Sequence, residues 1–420
     1  MRQYARLLRD NPDYARLWLA GVISFLGDWF DTIALSALVV AYSAENKGLA
    51  VSLLLMARFI PPLLISPFAG VLIDRFNRKR LLIWSNYLRA GVVLLLLLGT
   101  RGPDWMWVIY ALTIAQASLS AVFAPGESAL IPSLVKRDDL VRANTLGSVT
   151  WSVMLAVGAA LGGVASSLFG TGFALVFDAF TFVVSGWLIG QITAYRYEPV
   201  AHQSHEQRHD TSFREGLRFL QRNPGTAATL LIKFGGSLGN IDTLMTIFAT
   251  QIFILGANGQ LSLGIMYSAF GIGAILGPVV LNRFNDGSVR AMRRLVVIGF
   301  LWIAFGWLIL GVAGSLVVMC VALLFRAMGG SANWTYSSVM IQKLVPDAYL
   351  GRVFSTDMAL YYLATVTSTI IHGSLVDALG SDKLQLIAVG TMVVSLLPLF
   401  LWTLAMRRME QRAERAVAAT

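Results

Sequence analysis

The sequence predicts an all-α membrane protein with twelve transmembrane helices in two pseudo-symmetric six-helix bundles. Three observations predict it. The 420 residues are 56% hydrophobic and only 13% charged, where a soluble domain runs near half apolar and a quarter charged. The remaining charge is clustered between long apolar runs, and a helix needs about 20 apolar residues to cross the hydrocarbon layer. The two halves of the chain also repeat one another.

The spans follow from the apolar runs and the Gly, Pro, Asn and charge breakers between them. They fall at about 14–42, 49–73, 79–99, 105–126, 144–168, 171–194, 226–255, 260–282, 292–312, 315–340, 352–376 and 384–406. Ahead of the first, MRQYARLLRDNPDYARLW is charged and amphipathic. It lacks the short apolar run and small-residue cleavage site of a signal peptide. A polar interval, 195–224, separates the sets of six. The expected domains are an N-terminal bundle over 1–194, a cytoplasmic central loop over 195–224 and a C-terminal bundle over 225–420.

Lys and Arg set the orientation. With the N-terminus inside, the outside loops hold only Lys47, Arg101 and Lys383, and Arg58, Arg89, Lys233 and Arg326 fall within spans. Every other Lys and Arg lies inside, which predicts both termini cytoplasmic. The net charge of +10 then reads as a topology signal beside anionic headgroups rather than a nucleic-acid surface. The single cysteine, Cys320, excludes an intrachain disulfide and argues against a thiolate metal site.

LGDWFDT (26–32) returns as LGNIDT (238–243), VLIDRFN (71–77) as PVVLNRFN (278–285), and IPSLVKRDDLVR (131–142) as IQKLVPDAYLGR (341–352). Three matches in one order and at similar offsets mark a duplicated six-span half, the arrangement that leaves a central cavity between two bundles.

The turn GVLIDRFNRKR (70–80), between spans 2 and 3, resembles the signature of the major facilitator superfamily through Gly70, Leu72, Asp74, Arg75, Arg78, Lys79 and Arg80. Asn77 stands where that family has glycine, and Asn also tolerates a left-handed turn. Gly27-Asp28, FAPGESALIPSLV (123–135), Leu140, Ala143-Asn144 and FDAFTFVVS (177–185) are similar to the drug-antiporter branch that contains macrolide efflux proteins and the enterobactin exporter. Gly158, Gly162 and Gly163 have the spacing of that branch's antiporter motif, with Ala159 at its usual proline. The resemblance implies a major facilitator fold. It also implies a gate in which Gly70, Asp74, Arg75, Arg78, Lys79 and Arg80 latch the bundles on the cytoplasmic side. The alternative is that this basic turn only sets topology.

Charge inside a span costs a few kcal/mol on insertion scales and marks function by default. Asp28 and Asp31 share a helix face at i, i+3. Two carboxylates so close in an apolar setting resist double ionisation, so one can hold and release a proton. Two readings stay open: proton coupling by at least one of them, or a structural pair with Arg58, Arg89 or Lys233. The repeat places Asp242 opposite Asp31 and Asn240 opposite Asp28, which favours Asp28 for coupling. Glu127, beside Pro125 and Gly126, and Asp178 are further candidates, though Asp178 can instead cap or pair. Lys233 and Arg326 are expected to neutralise carboxylates such as Asp242 and Asp357, or to meet an anionic substrate. His372 is a candidate relay. His202, His205 and His209 lie in the polar loop and are expected to be solvated. Gly158, Gly162 and Gly163 permit close helix contact.

No phosphate-cradling Gly-Lys-Ser/Thr loop and no Ser/His/Asp set at motif spacing is present. The expectation is therefore no enzyme, no cofactor and no metal, with a proton gradient as the energy source. The predicted function is a secondary active transporter of a bacterial-type inner membrane, a monomer in the lipid bilayer that binds no nucleic acid. It would couple protons to efflux of a small amphipathic molecule (drug, macrolide or siderophore) by alternating access. The alternatives are a lysophospholipid flippase or nutrient importer of the same fold, and a non-transporting membrane receptor or enzyme.

Overall fold

The computed structural model describes residues 2–75, 77–136, 139–193 and 213–418. The amphipathic start forms α1 (Arg2–Asp10), and Pro12, preorganised for a first helical turn, opens α2 (Pro12–Tyr42). Next come α3 (Lys47–Arg75) and α4 (Arg78–Leu96). Asn77 between them is extended (φ −63°, ψ 111°), and its side chain accepts from the Arg80 N–H at 3.1 Å. Its service to this turn is thus an N-cap, not the left-handed conformation expected from the motif.

After α5 (Met106–Leu130) comes α6 (Leu140–Gly190), which carries spans 5 and 6 end to end. Gly170 bends it (φ 83°, ψ 169°), a conformation that suits only glycine. The central interval contributes α7 (Phe213–Arg222). Span 7 departs from the continuous helix expected over 226–255: α8 (Pro224–Ser237) stops, the backbone opens through Leu238–Ile241, and α9 (Asp242–Ile247) resumes and ends in a π turn over Phe248–Ile252. Five helices complete the chain: α10 (Gln260–Leu281), α11 (Val289–Gly311), α12 (Leu316–Leu344), α13 (Asp347–Leu379) and α14 (Leu384–Ala418). Ser288 and Ser315 cap α11 and α12.

Among the described residues, ten helical stretches are long and apolar enough to cross a membrane. One of them, Arg142–Gly190, holds two spans hinged at Gly170. Span 7 is divided between α8 and α9, each too short alone. That accounts for twelve spans, and the molecule is a multi-pass membrane protein. Trp107, Leu168, Val312 and Val317 are exposed, as lipid-facing side chains should be.

The chain packs as two compact units: Met1–His205 with Thr243–Ser268, and Glu206–Asp242 with Ala269–Thr420. In the first unit α2 lies along α6. Tyr14 Oη donates to Ala143 O at 2.9 Å, and Trp18 Nε1 donates to Thr150 Oγ1 at 2.8 Å. Gly158 and Gly162 face Trp29 and Phe30 of α2, and Gly163 of α6 meets Gly264 of α10 backbone to backbone. In the second unit Gly299 and Gly306 let α11 approach α12 closely, with Trp307 fully buried.

Candidate functional site

Five helices of the first unit bring polar side chains to one place. From α2 come Asp28 and Asp31, from α3 Arg58, from α4 Arg89, from α5 Gln116 and from α6 Asp178. Arg89 donates through NH2 to Asp28 Oδ1 at 2.9 Å. Its guanidinium lies over the Phe182 ring, 3.9 Å from the centroid. Arg58 donates to Asp31 Oδ1 at 2.6 Å and also to Thr32 Oγ1. Gln116 Nε2 donates to Asp31 Oδ2 at 3.0 Å. The two aspartates of α2 are one turn apart, yet each is held by a different arginine from a different helix.

Asp178 is treated otherwise. It is fully buried. Its nearest donor, Thr181 Oγ1, stands 3.4 Å from Oδ1 and already donates to the Asp178 carbonyl at 2.7 Å. Asp178 Oδ2 has no hydrogen-bond partner among the described residues. Gly27 of α2 makes room for it, since a Cβ there would collide with Asp178 Oδ1 and Thr181 Oγ1. The cluster therefore holds three carboxyl groups and two guanidinium groups. Glu127 lies to one side, its Oε1 3.0 Å from where a Cβ on Gly21 would lie, two turns along α2 from Asp28, and Arg89 acts on it electrostatically as well.

The second unit holds its charges in separate places. Lys233 Nζ donates to Asp357 Oδ2 at 2.5 Å, both side chains buried, with the ammonium 4.4 Å from the Trp334 ring centroid. Trp334 meets Tyr361 edge to face, and Tyr361 meets Tyr362. Arg326 donates to the Gly239 carbonyl and acts electrostatically on Asp242.

That carbonyl belongs to the break in span 7, where unpaired backbone groups in a membrane must find partners. His372 Nδ1 lies 2.9 Å from Asn240 O, so this nitrogen carries the proton, and Nε2 meets Thr391 Oγ1 at 2.9 Å. Ser368 Oγ accepts from the Asn240 N–H at 3.0 Å. Asn240 Oδ1 accepts from the Asp242 N–H at 3.1 Å, and Asn240 Nδ2 donates to Asp242 Oδ2 at 3.1 Å. The repeat's alignment of Asp242 with Asp31 does not extend to their surroundings: Asp31 is mid-helix on an arginine, while Asp242 opens a helix.

The motif between α3 and α4 is partly described. Lys79 Nζ donates to Ile192 O at 2.6 Å, and Arg78 and Arg80 begin α4. The side chains of Gly70, Asp74 and Arg75, and all of His202, His205 and His209, lie outside the described residues.

Two further features concern transport. Residues 243–268 lie against α2, α3 and α6. Lys47 Nζ donates to Gln251 Oε1 at 2.8 Å, Ala257 N–H to Ser167 Oγ at 3.2 Å and Ser268 Oγ to Ala156 O at 2.7 Å. Trp29 meets Tyr267 at 5.0 Å between centroids. An apolar cleft of about 370 Å³ opens between α3 and α5, lined by Met56, Ile60, Tyr110 and Ile114 among others. Sequence reasoning missed Gln116, Ser368 and Thr391. A glutamine amid TIAQASL was a usable signal, whereas Ser and Thr are too common in spans to stand out.

Comparison with known proteins agrees with this architecture. The chain is 24% identical to the putative bacilysin exporter BacE of Bacillus subtilis, over 88% of this chain and 90% of that one. It is 24% identical to macrolide efflux protein A of Streptococcus pyogenes, over 90% and 92%. The crystallised nucleoside transporter NupG superposes with a TM-score of 0.72 at 14% identity, covering 94% of this chain and 99% of that one. The family profile described as "transmembrane secretion effector" (MFS_3) matches residues 6–419. The chain belongs to this transporter family of the major facilitator superfamily.

Proposed function

We propose that the chain exports a small amphipathic molecule across a bacterial-type inner membrane, both termini cytoplasmic, in exchange for protons by alternating access. One observation carries the coupling. Among the described residues, the cations that face Asp28, Asp31 and Asp178 are Arg58 and Arg89, two against three. A buried negative charge without a protein cation is costly, and a proton is the simplest compensating ion. The direction is supported by the relatives named for efflux and export. The apolar part of such a molecule is supported by the cleft, whose Tyr110 and Ser118 hydroxyls are already spent on backbone carbonyls. Alternating access requires seams that part, and the short polar bridges holding 243–268 to α3 and α6 fit that need.

The test is flux in proteoliposomes loaded with erythromycin, a macrolide. Efflux should follow an imposed pH gradient and stop when a protonophore collapses it. Equal efflux with and without the gradient would remove proton coupling. Uptake along the same gradient would point to an importer, and lipid movement without macrolide flux to a flippase.

A further inference from the structure

We infer that Asp178 is the carboxyl that binds the transported proton, and that this proton decides which of two aspartates Arg89 serves. The inference rests on the proton-coupled reading above and adds the residue and the linkage.

Every other acid of the cluster has its donor. Asp31 takes Arg58 and Gln116, and Asp28 takes Arg89. Of these three, only Asp178 has a buried carboxylate oxygen with none among the described residues. The charged groups facing it are Asp31 and Asp28 of α2, Arg89 of α4 and Arg58 of α3; from its own helix it meets only Thr181. With a proton on Oδ2, Asp178 is a neutral acid and the two ion pairs balance. Without it, the cluster carries one uncompensated negative charge.

Arg89 is the group able to respond. Its Nε is buried without a hydrogen-bond partner among the described residues, so it has an unused donor on a guanidinium already in the cluster. It also sits on Phe182, one turn beyond Asp178 on α6. When the proton leaves Asp178, the carboxylate competes with Asp28 for Arg89, and Asp28 is released. Asp28 is the accessible member, its side chain 33% exposed against a fully buried Asp178. It is therefore the path to water. An O–H bond forms at Asp178 Oδ2 as an O–H bond of a hydronium ion breaks and leaves water, and the reverse step returns the proton to water. Because Asp178 fits the notch at Gly27, the exchange is felt where α2 crosses α6.

The experiment is infrared spectroscopy of the full chain in lipid nanodiscs at neutral pH, read at the carbonyl stretch of a protonated carboxylic acid. It is done on a Glu127→Gln background so that Glu127 cannot supply the band. The expected result is a band lost in Asp178→Asn, with Asp178→Ser as a second variant should the first not fold, and lost also in Asp28→Asn, where Arg89 is freed to pair with an ionised Asp178. A band that persists in both Asp178 variants overturns the assignment, and one that is undiminished in Asp28→Asn overturns the exchange of Arg89 between the two aspartates. Erythromycin flux on the same preparations separates the two claims. Gradient-independent efflux by the unsubstituted protein sinks the coupling and leaves the spectrum to judge Asp178. Gradient-driven efflux that survives in Asp178→Asn sinks Asp178 and leaves the coupling standing.

Discussion

Arg89 of α4 serves Asp28 with a terminal nitrogen at 2.9 Å while its flat face rests on Phe182 of α6. One side chain thereby ties α2, α4 and α6 together. A lysine there would keep the charge and lose the planar contact, because a guanidinium both forks to a carboxylate and stacks on a ring.

The Lys233–Asp357 pair should behave as a unit. Lys233→Met alone leaves the buried Asp357 carboxylate without its cation, at about 3–5 kcal/mol. Lys233→Met with Asp357→Leu should recover most of that loss. Thermal unfolding in nanodiscs measures both, and a double variant no better than the single one would show the pair is not coupled.

Gly264→Val should separate α10 from α6. A Cβ at Gly163 would already lie 2.8 Å from the Gly264 Cα, so neither position has room, and overpacking costs about 1–3 kcal/mol. The expected result is a lower melting temperature with macrolide efflux reduced further than stability alone explains. Unchanged efflux in a folded variant would free this crossing from any part in transport.

His372→Gln should be tolerated and His372→Leu should not. A glutamine amide can still donate toward Asn240 O and accept from Thr391. Leucine leaves a carbonyl in the break unpaired, at about 1–3 kcal/mol. Hydrogen exchange at Gly239–Asp242 reports the difference directly: fast in the leucine variant, near the native rate in the glutamine variant.

Asp286, exposed in the turn before α11, gives a pH prediction. Hydrogen bonds from Ser288, side chain and N–H, hold its carboxyl below the ordinary carboxylate range. A group depressed in the folded state adds stability above its unfolded value and loses it as pH falls through the folded one. Asp286→Asn should therefore melt slightly lower than the unsubstituted protein at neutral pH, and the gap should narrow as pH falls below the ordinary carboxylate range. A gap that widens on acidification would reverse the sign.

Much of the fold was legible because span length and Lys/Arg placement are local properties of the chain. The partnerships were not. Spacing said that Asp28 and Asp31 share a face, but nothing in SFLGDWFDT says that one reaches α4 and the other α3. The repeat suggested that LGNIDT would continue a helix as LGDWFDT does. Its carbonyls are instead held by Arg326 and His372, which lie far along the chain. Gly27 read as part of a family motif; that it forms a notch for Asp178 required the position of α6.

Residues 243–268 follow the duplication point in the gene, yet they are built into the unit formed by the first copy. A fragment ending at His205 would present the bare flanks of α2 and α6 around Gly163 and Ala156, and its complement would carry an orphaned segment. Production of either half as a separate polypeptide should call for coexpression of the other.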